Sequence, residues 1–343
     1  MHMIKRAITA SLLIVSIVIS TATFAADTIE LKMSHFLPST YPVQRDFLEP
    51  WARELEARTN GRVKVQIFPA GSSFGHVAKQ MDQVRAGVVD IAHGLTGIPR
   101  GRLPRTSIID LPFLVQTSDA ASRTLWKLYP KYLKSEYRGV KVLALHAHNA
   151  GLIHTRDKKV TSIDDLKGLR LRTPSLAISM MLEELGASPV GMPPTQVYEN
   201  LEKGVIDGTV FPWDAVNGFK LYEPLNYHLD ARAYTTSFFF VMNERKYNAL
   251  PADIRQVIDE MSGEALVNKF GDWWNQWDQP GLDAAMKKGN EVSKLTAEQR
   301  TQWRERLAPA IERYLVDLEK KGIKDAREIY RKAQEYVAEV EGK

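Results

Sequence analysis

Residues 84–90, Val84-Arg85-Ala86-Gly87-Val88-Val89-Asp90, and residues 201–207, Leu201-Glu202-Lys203-Gly204-Val205-Ile206-Asp207, carry one pattern twice. In each, a helix end meets a glycine, then two branched apolar residues and an aspartate. A glycine just past a helix supplies the left-handed turn that closes it, and the β-branched pair behind it favours a strand. A further strand precedes each copy, Val63-Lys64-Val65-Gln66-Ile67 in one and Leu169-Arg170-Leu171-Arg172 in the other. The repeat predicts two similar α/β lobes. Chance recurrence of Gly-Val-[Val/Ile]-Asp, common in any α/β chain, is the alternative.

Outward from the repeat, strands and helices continue to alternate. Ile29 to Ser34 and Val140 to Ala147 read as strands, Tyr41 to Thr59 as a helix with Val43, Phe47, Leu48, Trp51 and Leu55 at helical spacing. Helices are also predicted from about Gly75 to Arg85 and near Ala120 to Leu133, and strands over Val88 to Ala92 and Leu169 to Thr173. Past Leu250-Pro251 long charged stretches predict helices up to Lys343. Trp273, Trp274 and Trp277, at helical spacing, and Phe238-Phe239-Phe240, in a strand, read as core.

The chain has 343 residues, 44% of them hydrophobic and 25% charged, enough for two domains with their own cores. Lys5 and Arg6 precede an apolar stretch from Ala7 to Ile19, followed by Thr23-Phe24-Ala25-Ala26. That order of charge, short apolar core and small residues predicts a signal peptide over residues 1–26 and an exported, periplasmic protein. A retained anchor is the alternative, although the apolar core falls short of the roughly 20 residues that span a bilayer. Without Lys5 and Arg6 the formal charge of +5 falls to +3, and basic residues alternate with acids, as in Arg53, Glu54, Glu56 and Arg58. Nucleic-acid binding, which needs a basic stripe, is therefore not expected. The absence of cysteine excludes disulfides, thiol catalysis and thiolate metal sites.

In open α/β sheets ligands bind beyond the carboxyl ends of strands. Arg172 stands at such an end, followed by Thr173-Pro174 and by Ser175, a candidate N-cap. A guanidinium beside a helix start suits a carboxylate, which it can grip with two parallel hydrogen bonds; a structural ion pair with a nearby acid is the other reading. Phe211-Pro212-Trp213 follows another strand and is placed to wall an apolar pocket. His35 and His93, at or just past strand ends, are candidate donors to a ring hydroxyl or 2-oxo group, or packed core residues.

His146-x-His148 sets two imidazoles on one strand face, as some zinc enzymes do. No third ligand stands in a recognisable metal motif, and the nucleophile elbow, the Walker loop and the G-x-G-x-x-G pattern are absent. An exported metal-dependent hydrolase using these histidines is thus the competing class. No catalytic residue, metal or cofactor is assigned.

Gly168-Leu169-Arg170-Leu171-Arg172-Thr173-Pro174, preceded by Asp164-Asp165-Leu166-Lys167, resembles the signature of the DctP-type solute-binding subunits of tripartite ATP-independent periplasmic (TRAP) transporters. Phe68-Pro69-Ala70-Gly71, Asp110-Leu111-Pro112-Phe113 and Gly204-Val205-Ile206-Asp207-Gly208 match further family segments in family order. The resemblance implies an α/β, two-lobe, type II-like periplasmic binding fold with crossing hinge strands and a long bracing C-terminal helix. It implies lobe I over 27–150 with about 237–280, and lobe II over 151–236 with about 281–343. It further implies a monomeric, non-catalytic receptor that closes on one organic acid and delivers it to a permease driven by an ion gradient. The family's carboxylate-gripping arginine falls on Arg172, with Phe211, Trp213, His35, His93, Asn149 and Thr173 as further candidate ligand contacts. Phe211 stands where many members have asparagine, and Leu152 where sugar-acid and some dicarboxylate binders have a second arginine. These departures favour an aromatic monocarboxylate or aryl 2-oxo acid over an aliphatic 2-oxo or hydroxy acid, a C4 dicarboxylate or a hexuronate.

Overall fold

The two echoing segments hold equivalent places in two sheets of the computed structural model, which describes residues 28–342. The expected signal peptide, residues 1–26, lies outside the described residues. Among those described, the strands are β1 (Ile29–Ser34), β2 (Val63–Phe68), β3 (Ile91–Leu95), β4 (Val140–Ala147), β5 (Leu152–Thr155), β6 (Arg170–Thr173), β7 (Ser188–Gly191), β8 (Gly208–Phe211), β9 (Tyr227–Asp230), β10 (Ser237–Asn243) and β11 (Glu291–Lys294). One sheet runs β2-β1-β3-β10-β4, the other β11-β9-β5-β8-β6-β7. In the first, β1 pairs in parallel with β2 and β3, and β10 joins β3 antiparallel. In the second, β6 pairs in parallel with β7 and β8, and β5 joins β8 antiparallel.

The repeat reaches down to single hydrogen bonds. Gly87 and Gly204 follow the helices Gln80–Ala86 and Val197–Glu202 with φ of 75° and 66°, a conformation that glycine alone adopts without strain. Asp90 donates its N–H to the Lys32 carbonyl (2.9 Å), and its carboxylate accepts the Lys32 N–H (2.8 Å). Asp207 does the same with Arg170, at 2.8 Å in both bonds. Because the aspartate is spent on this clasp, β3 starts at Ile91, three residues later than the apolar pattern predicts.

The chain passes between the sheets after β4 and again after β9. These crossing segments pair: Gly151 N–H donates to the Tyr234 carbonyl (2.7 Å), His148 N–H to that of Thr236 (3.3 Å), and the Thr235 hydroxyl to that of His148 (2.6 Å). A Cβ on Gly151 would lie 2.3 Å from the Tyr234 ring, so only glycine lets the two segments approach.

The helix Phe270–Lys288 braces both lobes: Phe270, Trp274 and Trp277 join the core of the first sheet, and Ala285 packs with Leu152, Trp213 and Val216 of the second. The C-terminal helices depart from the expected partition. Trp303 and Leu307 of the helix Ala297–Lys320 pack into the second lobe, but Tyr314, Leu315 and Leu318 join the first. Ala326, Ile329, Ala333 and Val337 of the last helix, Ala326–Glu341, share that first core with Ala121 and Leu125 of the helix Ser118–Leu128. The apolar stripe of the last helix finds its partner on the first lobe although the chain last left the second.

Candidate functional site

A cavity with about 460 Å³ of empty space, part of it open to solvent, lies between the lobes. The loop after β1 contributes Phe36, Leu37 and Tyr41; the crossing segments contribute His148 and Tyr234; the second lobe contributes Arg172, Phe211, Asp214 and Phe219.

Arg172 is held by the expected local design. β6 ends at Thr173, and Ser175 then adopts an extended conformation and caps the helix Leu176–Glu184 by accepting from the Ile178 N–H. The Arg172 side chain is fully buried. Its Nε donates to the Met192 carbonyl (3.1 Å), Nη1 reaches the Val210 carbonyl at 3.5 Å, and the guanidinium carbon lies 4.3 Å over the Phe211 ring. Nη2 has no partner, and among the described residues no carboxylate pairs with this cation. Burial without a counterion pulls its pKa from 12.5 down to about 9. Burying an unpaired guanidinium is costly, and its chemistry suits it to pair with an anion.

Two further polar atoms of the cavity lining lack partners, the Tyr234 hydroxyl and Asp214 Oδ1. Asp214 lies in the first turn of the helix Trp213–Gly218, and its Oδ2 accepts the Tyr41 hydroxyl from the opposite lobe at 2.5 Å. Burial, then the charge of nearby Asp278, raises the Asp214 pKa well above the carboxylate range, against the Tyr41 hydroxyl and the Ala215 N–H. Asp278 is itself pushed up to about 6, chiefly by burial. Burial holds His148 down at about 4, so it enters the site as neutral imidazole.

The structure gathers some of the sequence candidates and disperses the rest. Arg172 and Phe211 line the cavity. Trp213 turns away, because the strand ends at Phe211 and the helix begins at Trp213; its ring packs on His154 and His228 at 5.6 and 4.9 Å. His35 is buried behind Phe36 and Leu37, its Nε2 bonded to Gln44 Oε1 (2.8 Å) and its Nδ1 accepting the Leu37 N–H. His93 lies behind the wall, stacked with Phe36 and Phe238 and bonded through Nε2 to His146 Nε2 at 3.0 Å. Thr173 Oγ1 donates to the Ser175 carbonyl. Asn149 accepts the Ser118 N–H and donates to Asp278 (2.9 Å), binding the crossing segment to the brace.

Within the pair considered for zinc, only His148 faces the cavity; His146 is bonded to His93 and stacked on Phe270 at 3.8 Å. Among the described residues no group of three His, Asp or Glu side chains is placed to hold a metal ion. Tyr41, Asp214 and Tyr234 carry no sequence motif that marks them. The one available signal for Tyr234 is Gly151, whose missing side chain makes room for its ring.

The model of the bacterial extracellular solute-binding protein family 7, DctP, matches residues 33–317. A TRAP solute-binding protein of Rhodoferax ferrireducens, solved with copurified benzoate, superposes with a TM-score of 0.88 at 31% identity, covering 92% of this chain and 99% of that one. A marine metagenome TRAP protein described as specific for aromatic acid ligands, solved with 3-hydroxybenzoate, also gives 0.88, at 33% identity and 91% and 99% coverage. The 2,3-diketo-L-gulonate-binding periplasmic protein of Escherichia coli is 28% identical over 276 residues, 79% of this chain and 76% of its own.

Proposed function

From the premise that this chain belongs to the DctP family of extracellular solute-binding proteins, whose members bind small organic acids and work with membrane permeases rather than catalyse reactions, we propose that it captures an aromatic monocarboxylate. The ligand carboxylate sits on Arg172 and its ring lies against Phe211, Phe36, Leu37 and Phe238. The observation that carries this reading is the buried Arg172 guanidinium with no acid beside it and an aromatic ring beneath it.

Magnitudes support the choice of a ring. Micromolar binding requires about 8 kcal/mol. Hydrogen bonds to a charged group contribute roughly 1.5 to 3 kcal/mol each, before the entropy of association is subtracted. Burying about 120 Å² of ring surface adds on the order of 3 kcal/mol at about 25 cal/mol per Å². Among the described residues Arg172 is the one Lys or Arg side chain on the cavity lining, so a second carboxylate of a C4 dicarboxylate would meet Asp214 instead of a cation. Benzoate and 3-hydroxybenzoate in the two similar structures support the same class.

The protein works in the periplasm as a receptor whose lobes close over the acid and present it to a TRAP permease. Closure excludes water from the clamp, which strengthens each hydrogen bond in it. A thermal-shift screen of aromatic, aliphatic and sugar acids tests the ligand class. An aromatic acid at about 100 times its dissociation constant stabilises by roughly 2.7 kcal/mol. Melting shifts with hexuronates or C4 dicarboxylates, and none with benzoates or aryl 2-oxo acids, would overturn the proposal.

A further inference from the structure

We propose, resting on the aromatic-acid reading, that Asp214 is a specificity-determining residue that selects ring acids bearing a hydroxyl group, through its free Oδ1. Asp214 is about 1% exposed and lines the cavity, and apart from the adjoining Ala215 N–H, which makes no hydrogen bond of good geometry, Oδ1 has no protein partner. An unsatisfied buried carboxyl oxygen is costly, and a ligand group that satisfies it gains what a plain ring cannot. The other oxygen, Oδ2, is committed to the Tyr41 hydroxyl, which leaves Oδ1 as the carboxyl oxygen a ligand group can satisfy.

The chemistry of the surroundings narrows the group to a hydroxyl. Asp278 approaches Asp214 closely enough to raise its proton affinity, so the carboxyl can carry a proton or a charge. A hydroxyl both donates and accepts, and so meets Oδ1 in either state. A second carboxylate would add a third acid to this pair, and a methyl or halogen would leave Oδ1 unpaired. Because Tyr41 comes from the first lobe and Asp214 from the second, the ligand hydroxyl would also join the contact that holds the lobes together.

The test compares benzoate with 3- and 4-hydroxybenzoate by isothermal titration calorimetry. At least one hydroxybenzoate is expected to bind about tenfold or more tighter than benzoate. In Asp214→Ala the ratio should fall to within about twofold, while benzoate remains a ligand. In Tyr41→Phe, which removes only the cross-lobe bond, all three acids should weaken together with the ratio kept. Equal wild-type affinities for the three acids overturn the role of Asp214 and leave the aromatic-acid reading standing; this comparison decides the matter even if Asp214→Ala does not fold. A ratio that survives in folded Asp214→Ala assigns hydroxyl recognition elsewhere and also overturns it. If none of the three acids binds and no aryl 2-oxo acid does either, both readings fall.

Discussion

Replacing Arg172 with methionine separates a binding cation from a structural one, because the two roles predict opposite signs for stability. The drop from 12.5 to about 9 corresponds, at about 1.4 kcal/mol per tenfold, to a penalty on the order of 5 kcal/mol for holding the charged guanidinium at this buried position. Against it stand one good hydrogen bond to Met192, a long one to Val210 and the contact with Phe211. The two bonds are together worth roughly 2 kcal/mol, and the ring contact about 1 to 2 more. Methionine keeps much of the volume over the Phe211 ring and removes the unpaired charge. Opening of the cleft under the proposed closure would hydrate the arginine and reduce the gain, so the ligand-free melting temperature of Arg172→Met is expected to stay level or rise by a few degrees. Ligand affinity should fall by about a hundredfold or more, since two charge-assisted bonds worth roughly 3 to 6 kcal/mol are lost. Differential scanning calorimetry with and without benzoate, paired with titration calorimetry, reads both quantities. A ligand-free variant that melts well below wild type, yet binds with native affinity, would refute the assignment.

Two further predictions concern closure and pH. A Cβ on Gly218 would lie 2.2 Å from the Tyr41 ring, far inside the roughly 3.5 to 4.0 Å of carbon contacts, so Gly218→Ala must push Tyr41 off Asp214. At about 1 to 3 kcal/mol of overpacking in the closed form, affinity should fall roughly 5- to 150-fold, with ligand-free melting little changed; unaltered affinity would show that this contact does not form on binding. Asp110 is buried, accepts two bonds from Ser237, and has its pKa raised by burial to about 8. Its folded pKa lies above the unfolded one, so its contribution is complete below about pH 4 and lost as pH rises through about 8. Wild-type melting should therefore decline from pH 5 to 9 relative to Asp110→Asn, and parallel melting curves for the two would exclude a neutral Asp110.

Much of this architecture could be read in the sequence because it rests on short-range rules. The twin turns were legible since glycine and β-branched residues state their geometry locally, and Arg172 since a strand end is a local feature. β1, β2 and β4 span the residues the apolar pattern marked. The predicted helix over Tyr41 to Thr59 is split, with a widened turn at Val43–Leu48 ahead of Glu49–Arg58, where Pro50 lacks an N–H for regular continuation. His93 could not be placed because every residue of β3 is buried, so alternation gives no sign of which face meets the cavity, and His35, just past β1, is held by Gln44 in a contact no strand pattern announces. Trp213 misled because one residue of turn geometry separates it from the face of Phe211. The Tyr41 and Asp214 pair, 173 residues apart, exists only once two lobes meet, and no window of sequence contains it.

Asp278 gives the brace a mechanical meaning. Its two oxygens hold the Asp214 N–H at the start of a second-lobe helix and the Asn149 amide on a crossing segment, so three moving parts are pinned at one level of the helix Phe270–Lys288. Just beyond, Pro280 omits a backbone bond of the helix, and Gly281 seats it so tightly on the Trp213 carbonyl that any side chain would collide. If the lobes close as proposed, the far half of the brace would travel with the second lobe and bending would concentrate near Asp278. Under the closure proposed above, Asp278 acts as a fulcrum. A tilt about that point would move the outer lobe surfaces further than the residues beside it, and such a change of surface is what a permease could distinguish.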